Sequence, residues 1–423
     1  MKTKFALICL ILGLVGSLTA CNSTLPADIP TVTLEAAAIP ELPGEPSEQP
    51  PAVEDTPYPT TTPEQALIPT ETLVEISVSP LPVFDAPLIR RLAMCTPLQG
   101  WALTMDGNHV LFTEDGGQTW LDATPTDLAT LPPDYLTFGI RPFFLNEMTA
   151  WFTPNSADDA LLYHTQNSGL DWSITALPFD HASYFFLDDL LGYALVDLGA
   201  GAGSHYVAIY RTLDGGASWT QVFTHEPGES KSLIEGGSKN GITFRVVDSG
   251  WIGGTIPMDD FFYLYYTQDG GVTWAEETDI ALPAEYMGSF LDVWQPVFVS
   301  ETTAYLPVHA INPAGMHLLI YRSEDYGESW AFESGIPNGQ MLDFINVNEG
   351  WAAAQTDLYR TLDGGGSWML VAIPGIPAGR VILDVDFVDS MHGWLLVTPD
   401  DSTMDTIELY GTTDGGATWQ RLN

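Results

Sequence analysis

Cations are scarce in this chain. Of 423 residues only 13 are Lys or Arg, against 55 Asp and Glu, for a formal charge of -42 and a pI near 4.1. Phosphate binding needs clustered Lys and Arg, so nucleic acid is excluded as a partner. Electrostatic docking on an anionic bilayer is excluded for the same reason. Cysteine is also scarce: Cys9, Cys21 and Cys95 are too few for a disulfide-dense framework. Neither H-x-x-x-H, nor zinc-ligand spacing, nor a G-x-S-x-G elbow occurs. The glycine-rich run 199–203 has no Lys behind it and opens no helix, so it does not read as a phosphate loop. What the chain does have is 45% apolar residues, 39 Gly, 31 Pro and 13 Trp, enough to bury a core in most of its length.

The first twenty residues read as a leader. Lys2 and Lys4 precede an apolar stretch, Phe5 to Val15, too short to span a bilayer comfortably. Leu18-Thr19-Ala20-Cys21 follows, and this placement resembles the bacterial lipoprotein signal. The resemblance implies cleavage ahead of Cys21 and lipidation of its sulfur, palmitate included. That gives an extracytoplasmic protein held at the cell membrane or outer membrane. With Cys21 lipidated, Cys95 is expected to have no intramolecular partner and no structural disulfide is expected. Residues 22–70 carry 11 Pro, 8 acids and no Lys or Arg, a composition that stays extended and hydrated. The expected organisation is a signal peptide over 1–20, a tether over 21–80 and a folded region over 81–423.

The folded region repeats itself. TEDGGQTW (113–120), TQNSGLDW (165–172), TLDGGASW (212–219), TQDGGVTW (267–274), SEDYGESW (323–330), TLDGGGSW (361–368) and TTDGGATW (412–419) are seven copies of one segment. They start 38 to 56 residues apart, a period that signals stacked or radial repeats. Ahead of each copy stands a pair such as Gly100-Trp101, Ala150-Trp151, Gly192-Tyr193, Gly250-Trp251, Ala304-Tyr305, Gly350-Trp351 or Gly393-Trp394, opening a short apolar run. A second strand-length run follows each pair. Four short strands per unit and seven units predict an all-β, seven-bladed propeller of antiparallel blades. The last blade is expected to draw its strands from 381–387, 393–398, 406–411 and 418–422, with no strand borrowed from the N-terminus. Exchange through residues 73–79 is the alternative way to close the ring.

Within each segment the chemistry is that of a turn. The side chains of Asp115, Asn167, Asp214, Asp269, Asp325, Asp363 and Asp414 can accept from following backbone N–H groups. The glycines behind them permit positive φ. Trp120, Trp172, Trp219, Trp274, Trp330, Trp368 and Trp419 begin the outer strand and should pack between sheets. The pattern Ser/Thr-x-Asp-x-Gly-x-Thr/Ser-Trp resembles the Asp-box, or BNR, repeat of sialidases, xyloglucan hydrolases, sortilin-type receptors and photosystem II assembly factors. With the Gly-Trp strand ahead of it, the unit is most similar to the assembly-factor group. The resemblance covers about 335 residues and implies a propeller in which the boxes are structural. Asn167, Asp171 and Tyr326 are departures from the pattern.

No catalytic residue, metal or cofactor is assigned. A sialidase needs three convergent arginines, and Arg211, Arg322 and Arg360 instead recur just before their boxes as part of the repeat. His164, His181, His205 and His225 are scattered. The candidate binding face is the variable loops, with Asp158, Asp159, Asp259, Asp260, Asp400 and Asp401 as paired acids. Such pairs are the donor type for a weak Ca²⁺ site, or simply solvated acidic loops. Insertions 122–138, 224–244 and 277–290, with Tyr135, Phe138, Tyr286 and Phe290, are candidates for a partner-specific surface. The expected function is binding of a protein partner or assistance in assembling a membrane complex. The alternative is a propeller that binds or hydrolyses polysaccharide.

Overall fold

The computed structural model describes residues 80–129, 140–154, 160–226, 232–399 and 406–422. Almost every described element is a strand, and all strand pairs are antiparallel. The first sheet contains β1 (Val83–Phe84), β2 (Ile89–Met94), β3 (Gly100–Thr104), β4 (Val110–Thr113) and β5 (Trp120–Asp122), in the order β1-β5-β4-β3-β2. A single helical turn, α1 (Thr126–Ala129), follows. The next sheet is β6 (Ile140–Phe144), β7 (Ala150–Pro154), β8 (Leu161–Thr165) and β9 (Ser173–Ala176). The third is β10 (Ala182–Phe186), β11 (Gly192–Gly201), β12 (Ser204–Thr212) and β13 (Thr220–Thr224).

Two further units share one nine-stranded sheet. One is β14 (Ser238–Phe244), β15 (Gly250–Asp259), β16 (Leu264–Thr267) and β17 (Ala275–Glu276). The other is β19 (Val297–Phe298), β20 (Ala304–Asn312), β21 (Gly315–Ser323) and β22 (Ala331–Pro337). Between them β18 (Phe290–Val293) pairs with both β15 and β20 and fuses the two. The last two sheets are β23 (Met341–Phe344), β24 (Gly350–Ala354), β25 (Asp357–Thr361), β26 (Met369–Val371), then β27 (Arg380–Phe387), β28 (Gly393–Pro399), β29 (Glu408–Thr412), β30 (Gln420–Arg421). The described residues therefore hold seven four-stranded meanders. All four strands of the seventh come from the C-terminal segment, as expected. The N-terminal addition, β1, pairs with β5 of the first meander itself. Residues 73–79, the alternative closing strand, lie outside the described residues.

Burial falls from strand two outward in each meander. Second strands such as β3, β7 and β24 are buried at every residue, because a neighbouring sheet covers each face. Fourth strands such as β9, β26 and β30 are largely exposed. The Gly-Trp pairs explain how the sheets adhere. The aromatic ring of one meander's second strand stacks on the phenylalanine that ends the next meander's first strand. Tyr193 lies parallel to Phe244 at 3.4 Å, Tyr305 to Phe344 at 3.5 Å, Trp351 to Phe387 at 3.7 Å and Trp151 to Phe186 at 3.7 Å. Each phenylalanine in turn covers the glycine of its own Gly-aromatic pair. A Cβ on Gly350 would stand 2.5 Å from Phe344, so close approach, not a turn, requires glycine there.

The same aromatic residues also donate across the seams. Trp101 Nε1 donates to the carbonyl of Asn146 at 2.9 Å, Trp151 Nε1 to Gly215 at 2.8 Å, and Tyr305 Oη to Val347 at 2.8 Å. Trp394 of the seventh meander donates to Gly116 of the first at 2.8 Å. Met94 N of the first donates to Asp386 Oδ2 of the seventh at 2.7 Å. One hydrophobic cluster joins these two terminal meanders, with Ile89, Leu92, Met94 and Leu111 against Trp394, Leu396 and Leu409. The core is thus a series of shared clusters between successive sheets, and the last cluster returns to the first sheet.

The cysteine expectation needs correction. Cys95 is disulfide-bonded, not unpartnered. It sits half-buried in the loop after β2, packed against the cluster that the first and second meanders share. The chain's other cysteines, Cys9 and Cys21, lie outside the described residues.

Candidate functional site

The seven boxes have one construction. In the first, Asp115 Oδ1 accepts from Thr119 N at 2.8 Å and from Thr113 Oγ1 at 3.0 Å, while Oδ2 accepts from Thr119 Oγ1 at 2.7 Å. Gly117 N donates to Thr113 Oγ1 at 2.9 Å. Asp214, Asp269, Asp325, Asp363 and Asp414 repeat this arrangement. These bonds hold the carboxylates ionised; the Ser367 hydroxyl, Ser367 N–H and Thr361 hydroxyl draw Asp363 down to about 2. Asn167 substitutes with its amide, accepting from Asp171 N at 3.0 Å and donating to Asp171 Oδ2 at 3.2 Å. Both oxygens of each box carboxylate are occupied, so none is available as an acid or base.

Each box also docks on the first loop of its own meander. Gly116 N donates to Leu98 O, Ser168 N to Met148 O, Gly215 N to Leu190 O and Gly270 N to Asp248 O. Tyr326 N donates to Thr302 O, Gly364 N to Asn348 O and Gly415 N to Met391 O. The box tryptophans lie in the seams; Trp172 Nε1 donates to Ala123 O at 2.8 Å and Trp274 Nε1 to Gly271 O at 3.0 Å. Trp219 Nε1 donates to Gly216 O, and Trp368 Nε1 to Ser334 Oγ. Trp120, Trp330 and Trp419 are buried beside their boxes.

Of the candidate acids, Asp158, Asp159, Asp400 and Asp401 lie outside the described residues, as do Tyr135 and Phe138. Asp259 is exposed at the end of β15. Asp260, at φ 60, is committed: its Oδ1 accepts from Gly288 N at 2.6 Å and Ser289 N at 3.1 Å, clasping the segment before β18. Of the inserted segments, 224–244 is braced against the third to fifth meanders. There Lys239 is buried, and its Nζ donates to the carbonyls of His205, Glu235 and Gly236 at 2.8, 3.0 and 3.3 Å. Burial lowers it to about 8. His205 Nδ1 accepts from Lys239 N, leaving Nε2 to face Asp197 Oδ1 at 3.2 Å. His225 is engaged at both ring nitrogens, by Val207 N and Leu233 O. Burial keeps His309 neutral, lowering it to about 4, and its Nδ1 accepts from Trp294 Nε1 at 3.2 Å. Asn240 Nδ2 donates to buried Asp292 at 2.6 Å. This region is a polar brace whose groups largely occupy one another, with His309 Nε2 lacking a hydrogen-bond partner among the described residues.

A different constellation stands where the first strands of the sixth, seventh and first meanders meet. Asp343 on β23, Asp384 and Asp386 on β27 and Arg91 on β2 gather at that edge. Asp343 Oδ2 accepts from Phe387 N at 2.7 Å, just as Asp386 Oδ2 accepts from Met94 N. The equivalent positions of the other meanders are Ala93, Phe143, Phe185, Thr243 and Val297, so two adjacent positions of seven carry acid. Asp386 is 3% exposed and its Oδ1 lacks a hydrogen-bond partner among the described residues. Burial, then repulsion from the Asp343 carboxylate, lifts Asp386 well above the usual carboxylate range. Asp384 and Arg91 are half-buried. Burial raises Asp384 to about 6, opposed by the Arg91 guanidinium. The cluster therefore gathers carboxyls whose proton affinity is raised, Asp386 by burial and its neighbour and Asp384 by burial, an arrangement suited to hydrogen bonding and proton transfer. Three acids on first strands were not singled out from sequence, and only the six-residue spacing from β27 to Gly393-Trp394 marks their register.

Among the described residues no group of His, Cys, Asp and Glu is placed to hold a metal ion, and no helix is long and apolar enough to cross a membrane. No protein-family profile and no curated protein matches the chain. Solved structures do. YCF48 from Cyanidioschyzon merolae is similar at 18% identity over 79% of this chain and 97% of that one, with a TM-score of 0.52. The GH74 xyloglucanase from Xanthomonas campestris is similar at 14% identity over 81% of this chain and 55% of the enzyme, TM-score 0.55. An oligogalacturonate lyase from Vibrio parahaemolyticus gives 9% identity, 79% and 92% coverage and a TM-score of 0.52. At these identities the likeness is one of fold, shared between an assembly-factor-like protein and carbohydrate-active enzymes.

Proposed function

We propose that the seven meanders are the blades of a closed propeller and that this propeller engages a neutral polysaccharide at its axis. The closure reading rests on the Trp394–Gly116 and Asp386–Met94 bonds between the last and first meanders. The functional reading rests on one observation, the group Arg91, Asp343, Asp384 and Asp386 at the first-strand edge. Planar charged side chains bond sugar hydroxyls, and neighbouring carboxyls with raised proton affinity are the groups that glycoside cleavage divides between acid and base or nucleophile. The substrate is uncharged because a chain of net charge -42 repels polyuronates and sulfated glycans. Likeness of fold to a xyloglucanase agrees with a neutral glucan. The test is calorimetry and reducing-sugar release on xyloglucan, with polygalacturonate as the anionic control. Binding of xyloglucan that is lost in Asp384→Ala supports the reading; preference for polygalacturonate overturns it.

Assistance in assembling a membrane complex has the YCF48-like fold in its favour, but no residue of the axial group. Export and anchoring through Cys21 rest on the Leu18-Thr19-Ala20-Cys21 motif. A thioether on the Cys21 sulfur and a disulfide to that sulfur are mutually exclusive. The mass of the N-terminal peptide from membranes decides between them: a diacylglyceryl addition supports anchoring, and a Cys21–Cys95 crosslink removes it.

A further inference from the structure

The first strands of four meanders carry the same irregularity. In the first, Ile89 pairs with Thr104 and Arg91 with Leu103, which leaves Arg90 as an extra residue. Asn240 is extra in the fourth meander and Leu383 in the seventh, at the same register. In the fifth, Val293 pairs with Val308 and Val297 with Tyr305, so that strand too holds one residue more than its partner. The first strands of the second, third and sixth pair without interruption. A β-bulge bends its strand and re-aims the side chain beside it, and bulges gather next to active sites.

The bulges fall in two neighbouring pairs, seventh with first and fourth with fifth. The residues that follow the first pair of bulges are Asp384 and Arg91, both in the group assigned to the glycan. Those that follow the second pair are Gly241 and Gln295. Counted back from the Gly-aromatic pairs, these four share one register, which Arg141, Ser183 and Met341 occupy in the uninterrupted meanders. From the third meander to the sixth this register holds no charged residue, which suits an uncharged ligand. Gly241 alone in it is buried, and Gln295 covers it. A Cβ on Gly241 would stand 2.5 Å from Gln295 Oε1, so the glycine makes room for the amide. Oε1 has no hydrogen-bond partner among the described residues, and the side chain is half-buried, with one edge open to solvent. Without that bond the amide can turn either end, N–H donor or C=O acceptor, to a hydroxyl. The backbone around it is fixed: Asn240 Nδ2 donates to Asp292 Oδ1 at 2.6 Å and Trp294 Nε1 to His309 Nδ1 at 3.2 Å. An amide seated by a glycine and a bulge, its acceptor unspent, is a group prepared for a ligand.

We propose that Gln295, seated on Gly241, is a second contact of the axial site and bonds the hydroxyls of a neutral sugar residue across the ring from Arg91 and Asp384. This rests on the glycan reading above: in a closed ring of seven, the fourth and fifth meanders stand opposite the seam of seventh and first. The probe is a xyloglucan oligosaccharide titrated calorimetrically into the full chain. Gln295→Met keeps the side-chain length and loses the amide. It should bind about tenfold more weakly, the loss of one hydrogen-bonding group. Its thermal midpoint should not fall, because Oε1 has no partner to lose. Gly241→Ala, which displaces the amide, should weaken binding in the same direction, and Gln118→Met, on the first box, should bind as wild type. Wild-type affinity in Gln295→Met alongside a loss in Asp384→Ala overturns this proposal and leaves the axial reading standing. Weaker binding by Gln295→Met with a lowered midpoint overturns it too, by giving Gln295 a structural role. No binding by the wild type overturns both.

Discussion

Substitution of Trp394 by Phe probes the contact between the two ends of the folded chain. Trp394 is 3% exposed, and its Nε1 donates to Gly116 O across 278 residues of sequence. Phenylalanine keeps most of the apolar ring but removes the donor and leaves a carbonyl in the seam without its partner. A neutral hydrogen bond contributes about 0.5–1.5 kcal/mol net, and an unsatisfied buried acceptor costs about 1–3 kcal/mol. Trp351→Phe is the matched control. It sits at the equivalent position of the sixth meander, is 0% exposed, and its Nε1 has no hydrogen-bond partner among the described residues. Lost ring area is comparable, and phenylalanine keeps the face that Trp351 presents to Phe387 and Arg360, so the main difference between the two variants is the bond. Trp394→Phe should be less stable than Trp351→Phe by about 1–3 kcal/mol, read by urea unfolding followed by circular dichroism. At about 1–2 °C per kcal/mol for a folded region of this size, the thermal midpoint falls accordingly. Equal stability of the two variants would refute the reasoning, since it would mean that the first and last meanders are not held together by this bond.

Gly350→Ala places a methyl against Phe344 and should cost about 1–3 kcal/mol through overpacking, measured by the same unfolding curves; an unaffected midpoint would count against the glycine–phenylalanine contact. Lys239→Met removes the donor to three buried carbonyls and should destabilise by about 3 kcal/mol at pH 7. Because burial lowers Lys239 to about 8, the folded state holds fewer protons than the unfolded chain between there and about 10.5. Wild-type stability should therefore rise relative to Lys239→Met as pH climbs through that window. Asp386 and Asp384 have the opposite sign: raised carboxyls contribute stability below pH 3.8 that is lost as pH rises through their folded values, about 6 for Asp384. Asp386→Asn, which keeps an acceptor for Met94 N, should flatten the fall in stability between pH 4 and 7, and a profile parallel to wild type would contradict the buried-carboxyl reading.

The repeat was legible because its turn chemistry is local. Asp, Gly and Thr within six residues define a box whichever sheets surround it, and the strand boundaries followed from it. The mortar between sheets was less visible, since it joins residues of different repeats. A signal for it does exist. Phe144, Phe186, Phe244, Phe298, Phe344 and Phe387 each stand six residues ahead of the Gly or Ala of the aromatic pair, with Met94 at the seventh position. The candidate acids were sought in variable loops, where Asp260 proves to be a clasp for residues 288–289. The first-strand acids escaped notice because Asp343, Asp384 and Asp386 lie within apolar strands, and their meeting depends on the sixth, seventh and first meanders being neighbours. The Cys95 disulfide was unreadable because no local pattern marks a lone cysteine as paired.

The central claim, that the axial group engages a neutral glycan, is tested most directly by titrating xyloglucan oligosaccharides into the wild-type chain and into Arg91→Ala and Asp384→Ala. The account predicts saturable binding to the wild type and loss of at least tenfold in both variants, with folding intact by circular dichroism. Absence of binding to the wild type, or affinity unchanged by either substitution, would contradict it.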